Sequence, residues 1–186
     1  MRFIMIKLLI CLAICNTCLC SGCNSINTTS VPRPSSNHYA NKSVQALIIA
    51  DSIVATTGQP LTFLFTILNG TNNKICFDGR MAYPGNLDLY VKLPNSQVIR
   101  AITLAVKLAN PTEKDIVNLP PNTLYGTRIT LDPSERITSP ELKKPKPGIY
   151  TFWVEFYSRE LASHKCKELS LKSNSVSIVI EDSKQR

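Results

Sequence analysis

The seven cysteines are the residues of this chain with the most chemistry open to them. Five lie within the first 23 positions, whereas Cys76 and Cys166 stand apart, and His164 precedes Cys166 closely. A thiolate can bind a metal, or attack a substrate when a base lies beside it. A metal site of Cys76, His164 and Cys166 would have only three ligands and lacks a zinc-type spacing. A Cys76–His164 nucleophile pair has no residue marked to orient the histidine, so we expect neither site and no cofactor.

The N-terminal residues follow the order of an export signal. Arg2 and Lys7 supply a positive start, residues 8–15 are apolar, and Asn16 begins a more polar stretch that ends in small residues. Lys7 and Asn16 keep the apolar run well below the roughly 20 residues that cross a bilayer. We therefore expect residues 1–22 to be a signal peptide that is removed on export.

Positions 19–23 read Leu-Cys-Ser-Gly-Cys and resemble the lipobox of bacterial lipoproteins, with Cys20 where the family usually has Leu. The resemblance implies that Cys23 becomes the first residue and carries the lipid that holds the protein on a membrane. Ordinary cleavage near Gly22, which leaves Cys23 as a thiol, is the alternative. Asn24 follows, where an Asp would retain a lipoprotein at the inner membrane. In a Gram-negative cell this implies the periplasmic face of the outer membrane.

The same resemblance determines how many cysteines remain for the folded part. The four cysteines at positions 11–20 leave with the signal peptide, and Cys23 takes the lipid. An exported domain with two remaining thiols most simply bonds them. We therefore expect a Cys76–Cys166 disulfide, which would close a loop of about 90 residues and contribute about 4 kcal/mol.

Residues 23–43 are rich in Ser, Asn, Thr and Pro and poor in apolar side chains. Such a stretch cannot bury enough surface to order itself, so its composition predicts a flexible tether behind the lipid. His38 lies in the tether, which argues against a catalytic role for this histidine. Residues 44–182 are then one domain, and residues 183–186 are a charged tail.

The positive charge is spread along the chain. The formal charge of +8 becomes +6 when Arg2 and Lys7 leave with the signal peptide. The one cluster is Lys143, Lys144 and Lys146, which could contact anionic lipid headgroups or polysaccharide, but we favour a solvated turn. We expect no nucleic-acid partner, because the chain is exported and has no nucleic-acid motif.

Apolar and polar residues alternate through the folded part, and turn signals recur at short intervals. This pattern predicts strands near residues 44–55, 62–68, 87–93, 129–131, 150–156 and 176–180. Leu64 and Leu68 lie on the second face of their strand, which predicts a central strand covered on both sides. Residues 97–108 fit a helical face about as well as the alternation of a strand, and we expect a strand there. Residues 110–123 hold three prolines and predict a loop. Several short strands with one disulfide predict an antiparallel β-sandwich.

Residues 142–150, Leu-Lys-Lys-Pro-Lys-Pro-Gly-Ile-Tyr, resemble the tyrosine corner of immunoglobulin-like and fibronectin-like sandwiches. The resemblance rests on Leu142, Gly148 and Tyr150, and implies that the Tyr150 hydroxyl bonds to nearby backbone. Phe152 stands where antibody domains have Cys, so this is not an antibody-type domain. The order of motifs over residues 58–182 resembles bacterial immunoglobulin-like modules. It implies an antiparallel sandwich of about seven to nine strands.

A second resemblance is to small β-sandwich proteinase inhibitors of bacteria, which share the Gly-Gln-Pro strand opening and the Pro-Gly-x-Tyr segment. No inhibitory loop is recognisable here, so inhibition is the alternative function. Glu113, Asp115 and Glu135 are scattered singly and, like the segment at residues 78–80, are expected on the surface. Trp153 is expected to fill the outer face of its sheet or to pack under a loop.

These observations predict a protein that is not an enzyme, because no motif pairs residues for acid–base or nucleophilic chemistry. We expect a membrane-tethered, non-catalytic binding or scaffolding lipoprotein of the bacterial cell envelope. Its lipid would bind the membrane, and its partner would be a protein or an envelope polymer.

Overall fold

Strands make up nearly all of the regular structure, which confirms the predicted all-β class. The computed structural model describes residues 43–82, 85–102 and 109–183, so the predicted signal peptide, Cys23 and the tether lie outside the described residues. The described part has one α-helical turn, α1 (Pro140–Lys143), and two 3-10 turns. In chain order the strands are β1 (Val44–Ala50), β2 (Val54–Thr56), β3 (Leu61–Asn69), β4 (Ile75–Asp78), β5 (Leu87–Lys92), β6 (Val98–Arg100), β7 (Ile116–Leu119), β8 (Leu124–Leu131), β9 (Gly148–Ser158), β10 (Leu169–Lys172) and β11 (Val176–Glu181).

The first sheet has the order β1-β3-β8, with antiparallel pairs throughout. Buried and half-buried residues alternate strictly along β3, as the period of a strand requires. The buried side chains face the second sheet. The prediction that β3 is covered on both faces is wrong, because Leu64 and Leu68 are only half-buried. Their shielding comes from cross-strand neighbours, since Leu64 lies opposite Ile49 and Leu68 opposite Leu124.

The second sheet has the order β2-β11-β9-β5-β6, and β10 pairs with the C-terminal half of β9. Strand β2 runs parallel to β11, whereas the other pairs are antiparallel. The prediction of one strand over residues 44–55 is therefore wrong, because β1 and β2 belong to different sheets. Ser52 forms the bend between them: its hydroxyl oxygen accepts a hydrogen bond from the Val54 amide at 3.2 Å.

Together the two sheets have the strand order of an immunoglobulin-like sandwich, with a first strand that crosses from one sheet to the other. Eight of the eleven strands in the described part form this pattern, and β4, β7 and β10 are additions to it. Aromatic rings join the two inner faces. Phe63 meets Phe152 with ring centroids 5.0 Å apart, and Phe65 meets Phe156 at 6.2 Å.

Strands β4 and β7 pair as a short antiparallel ribbon, and β7 lies within the predicted loop. The prediction that residues 110–123 are only a loop is therefore wrong, since they hold a 3-10 turn and β7. Gly79 allows the close approach of β7, because a Cβ there would lie 2.1 Å from Cγ2 of Val117. The buried Asn69 side chain ties the ribbon to β3 by donating to the carbonyl of Leu119 at 2.9 Å.

The predicted tyrosine corner has the expected hydrogen bond: the Tyr150 hydroxyl donates to the Lys146 carbonyl at 2.8 Å. Leu142 and Tyr150 are both buried. Gly148 has a φ of 152°, and a Cβ there would lie 2.8 Å from Cγ of Pro94. The corner thus fixes the turn that leads into β9, and position 148 requires glycine.

We expect Tyr150→Phe to lower the free energy of unfolding by about 1–2 kcal/mol, because it removes one partly buried hydrogen bond and leaves a carbonyl without its donor. Urea denaturation measures the change. Tyr157→Phe is the control, since Tyr157 is half-exposed at the far end of the same strand and should change stability by less than about 0.5 kcal/mol. Equal effects of the two substitutions would contradict a structural role for the corner.

Candidate binding surface

The predicted disulfide is present: Cys76 and Cys166 are bonded, with their Cα atoms 5.1 Å apart. The bridge ties β4 to the segment after β9. His164 does not join these cysteines in a metal site, and its Nδ1 instead lies 2.9 Å from the Ser163 hydroxyl. Within residues 43–82, 85–102 and 109–183, no group of three or more His, Cys, Asp or Glu side chains could hold a metal ion.

The expectation that residues 78–80 lie on the surface is wrong for Gly79, which is buried, and for Asp78, which is 5% exposed. Its carboxylate accepts hydrogen bonds from the Arg80 guanidinium, with Nε to Oδ1 at 2.9 Å. Arg80 also donates through Nη1 to the Ala109 carbonyl at 2.8 Å. The hydrogen bond to Asp78 raises the pKa of Arg80 above its ordinary value. This ion pair holds the loop after β4 and is structural in character.

The outer face of the second sheet carries the most distinctive surface of the described part. Trp153 points away from the core, as its phase along β9 predicted, and stacks on Tyr90 of β5 with ring centroids 5.7 Å apart and planes 12° apart. Lys172 of β10 places its Nζ 4.9 Å from the centre of the Trp153 ring. The tryptophan is thus held between a second ring and a cation, an arrangement that is favourable for both contacts.

Two ion pairs flank these rings. Asp88 and Glu155 lie directly opposite each other on β5 and β9, where like charges destabilise a sheet unless each has a partner. Asp88 pairs with Arg100 of β6, and Glu155 pairs with Lys172 at 3.3 Å. The Trp153 Nε1 also donates to Glu155 at 3.2 Å. We call these six residues the cation–aromatic ladder: Asp88, Tyr90, Arg100, Trp153, Glu155 and Lys172.

Exposed aliphatic and aromatic side chains gather on the same face. Five of the eight large hydrophobic residues exposed in the described part belong to it, and all five are at least 40% exposed. Val54, Val179 and Ile149 form one cross-strand row through β2, β11 and β9. The other two are Val98 on β6 and Tyr157 at the end of β9. We call the ladder and these five residues together the outer face.

Burial raises the pKa of Tyr90, and the nearby carboxylates of Asp88 and Glu155 raise it further. Burial likewise raises the pKa of Tyr125 and of Tyr150. Because the pKa of each phenol is higher in the folded protein, the unfolded chain loses these protons at a lower pH. The stability tied to these phenols is therefore fully present below about pH 10 and is lost as the pH rises through their folded pKa values.

We accordingly expect the urea midpoint to fall as the pH rises above about 10, with a smaller fall in Tyr90→Phe. Denaturation curves between about pH 8 and about pH 11 measure it. A midpoint that falls equally in the Tyr90→Phe variant would show that Tyr90 keeps its ordinary pKa in the folded protein.

Comparison with known proteins gives no family. No family model matches the chain, and no curated protein is similar to it in sequence.

Several solved structures resemble the fold distantly. The CARDB domain of a Pyrococcus furiosus protein, solved in complex with di-metal ions, is 8% identical over 74% of this chain and 92% of its own, with a TM-score of 0.37. A protein described as catalysing macrocyclization in alchivemycin A biosynthesis is 12% identical over 78% and 93% of the two chains, with a TM-score of 0.39. A β-glucosidase from Erythrobacter marinus is 14% identical over 71% of this chain and 15% of its own, with a TM-score of 0.36. At such TM-scores, these likenesses carry no inference about function.

The cation–aromatic ladder could be found only in part from the sequence. The alternation along β9 places Trp153 outside, but the register between β5 and β9 is needed to place Tyr90 beside it. One signal for Tyr90 was present in the sequence: Asp88, Tyr90 and Lys92 alternate along the chain and therefore share one face of β5.

No helix in the described part of the chain combines the length and apolarity needed to cross a membrane.

Proposed function

We propose that this protein is a non-catalytic docking lipoprotein of the bacterial cell envelope. It is anchored through a lipid on Cys23, stands on a tether of residues 24–43, and binds a protein partner with the outer face of its second sheet. The observation that carries the proposal is the concentration of exposed apolar side chains and paired charges on that one face.

The composition of the outer face favours a protein partner. Protein interfaces are enriched in Tyr, Trp and Arg, which here are Tyr90, Tyr157, Trp153 and Arg100. Exposed aliphatic residues that gather on one surface mark interaction sites, whereas single ones are ordinary. The paired charges would supply orientation and partner choice more than affinity.

The disulfide supports export, which the anchor requires. Disulfides persist in oxidising compartments and are rare in the cytosol. With residues 1–22 removed, three cysteines remain, and because Cys76 and Cys166 bond to each other, no second cysteine of the chain is left for Cys23. A lipid on Cys23 accounts for this remaining thiol.

A photo-crosslinking amino acid placed at two matched positions in living cells tests the docking face. Ile149 lies on the outer face of the second sheet and Leu124 on the opposite side of the sandwich, and each is 61% exposed. We expect a specific crosslinked envelope protein from position 149 and none from position 124.

The crosslink should also disappear when Trp153 is replaced by Ala together with Tyr90→Ala, while the Thr130→Ala control on the opposite sheet leaves it intact. Equal crosslinking from positions 149 and 124, or none from either, would contradict the proposal. The comparison uses the full chain, so its anchor and its fold are those of the native protein.

A further inference from the structure

The lysine-rich turn before β9 lies at the end of the sandwich opposite the start of β1. Ala46 of β1 forms a parallel bridge with Ser173, and β2 runs parallel to β11, so β1 and β2 run in the same direction along residues 173–181. Thr56 lies opposite Glu181 at the end of β11, and the neighbouring Ile180 lies opposite Gly148 at the start of β9. The turn that leads into β9 therefore lies at the far end. We call this end, with Lys143, Lys144 and Lys146, the distal pole.

The turn is fixed from beneath and presents its lysines outward. Leu142, Pro145 and Tyr150 are buried, whereas the three lysines between them are exposed. The tyrosine corner holds the backbone at Lys146, and two prolines restrict the segment. None of the four ion pairs in the described part uses these lysines. The backbone that carries these three cations is thus ordered before binding, which lowers the entropy lost on binding.

Open clefts lie on both sides of this turn. One, of about 310 Å³, is lined by Lys144 and Lys146 together with Asn95, Gln97 and Glu141. The other, of about 420 Å³, is lined by all three lysines together with Thr57 and Asp182. Lys144 and Lys146 line both clefts, so the cationic surface continues across the turn. A third cleft, of about 380 Å³, adjoins the first and contains Lys92.

We infer that the distal pole binds an anionic polymer, a chain that carries repeated phosphate or carboxylate groups. A chain lying across the turn would meet the shared lysines from both clefts, whereas one small anion would occupy only one open cleft. Lysine ammonium groups act as point charges for such groups, and the release of counterions drives binding to a polyanion. Glu141 lines the first cleft and Asp182 the second, and their carboxylates limit the net charge, which favours a chain with spaced anionic groups.

The choice of a polymer over a lipid surface rests on the shape of the site. Lys144 and Lys146 line clefts on both sides of the turn, which a single chain can enter and a flat bilayer surface cannot. The binding itself does not depend on the anchor or on the outer face. It can therefore be tested on the mature chain with Cys23→Ser, and failure of either proposal leaves the other standing.

The experiment measures binding of this mature chain to long-chain polyphosphate and to polygalacturonate at several salt concentrations. The test variant is Lys143→Gln, Lys144→Gln, Lys146→Gln. The matched control is Lys74→Gln, Lys165→Gln, Lys167→Gln, which removes the same charge from a cleft beside the disulfide at the other end. We expect the test variant to lose about tenfold or more in affinity for at least one polymer at low salt, with a smaller salt dependence, and the control to lose less than about threefold.

Equal losses in the two triple variants would overturn the inference, since net charge alone would then explain the binding. Absence of binding to both polymers would overturn it as well and would leave the turn simply solvated. Competition by inorganic phosphate at the same phosphate concentration would show a site for a single anion. Stronger binding to phosphatidylglycerol vesicles than to either polymer would show a lipid-binding surface instead. Urea midpoints of both variants check that each remains folded.

Discussion

We expect Arg80→Met to lower the free energy of unfolding by about 3 kcal/mol, because it leaves a buried carboxylate without its cation. Asp78 is 5% exposed and its carboxylate accepts the Nε and Nη2 bonds of Arg80. Methionine keeps much of the side-chain length but supplies no donor, so the cost is chiefly that of the unpaired charge. The Nη1 bond to the Ala109 carbonyl is lost at the same time. Urea denaturation measures the difference.

Arg128→Met is the matched control for this prediction. Arg128 pairs with Asp51 at 2.8 Å, but both side chains are well exposed, at 67% and 49%. An exposed pair contributes only about 0–1 kcal/mol, so this substitution should barely move the midpoint. If the two arginine variants lost equal stability, the description of Asp78 as a buried charge that depends on Arg80 would be wrong.

The second large effect is expected from removal of the disulfide. Replacing Cys76 and Cys166 together with Ala should lower the free energy of unfolding by about 4 kcal/mol, since the bridge closes a loop with a sequence separation of 90. The loss should affect the whole domain, because the bridge ties the β4–β7 ribbon to the segment after β9. Denaturation curves of the mature chain with Cys23→Ser, compared with and without the two alanines, measure this.

Reduction of the parent protein provides the control for the cysteine substitutions. Its midpoint with a reductant present should match that of the double-alanine variant, because both lack the same cross-link. Thiol labelling of the unreduced, denatured chain should find neither Cys76 nor Cys166 free. Two free thiols, or a double variant as stable as the parent, would contradict the pairing.

The core faces of the sandwich were predictable because a strand places alternate residues on one side. The alternate residues Leu87, Leu89 and Val91 of β5, and Leu93 just after it, are all buried. The same holds for Tyr150 to Phe156 in β9. The tyrosine corner could be recognised since its residues are close in sequence. Local pattern and short-range motif therefore sufficed for the fold class and for this turn.

Features that depend on distant residues were not predictable from the pattern. The change of sheet between β1 and β2 is fixed by pairing with β3 and β11, which lie elsewhere in the sequence. Strand β7 was hidden among prolines because its partner β4 lies far away along the chain. Asp78 resembled a surface residue, since its pairing with Ile116 of β7 and the hydrogen bond of its amide to the Ser158 hydroxyl come from distant parts of the chain.

The outer face shows the same division between local and distant information. Trp153 could be assigned to the outside of its sheet from the sequence alone. Its contacts with Tyr90 and Lys172 come from β5 and β10, whose registers against β9 no local pattern specifies. The candidate docking surface is therefore assembled by strand pairing. The side chains that this pairing brings together indicate the chemistry of the binding partner.

The lipid anchor is tested most directly by the mass of the mature N-terminal peptide, taken from protein purified out of the membrane fraction. The account predicts a chain that begins at Cys23 and carries the added mass of a diacylglyceryl group, and predicts that Cys23→Ser abolishes both the lipid and the membrane association. A mature chain that starts at another residue, or that starts at an unmodified Cys23, would contradict it.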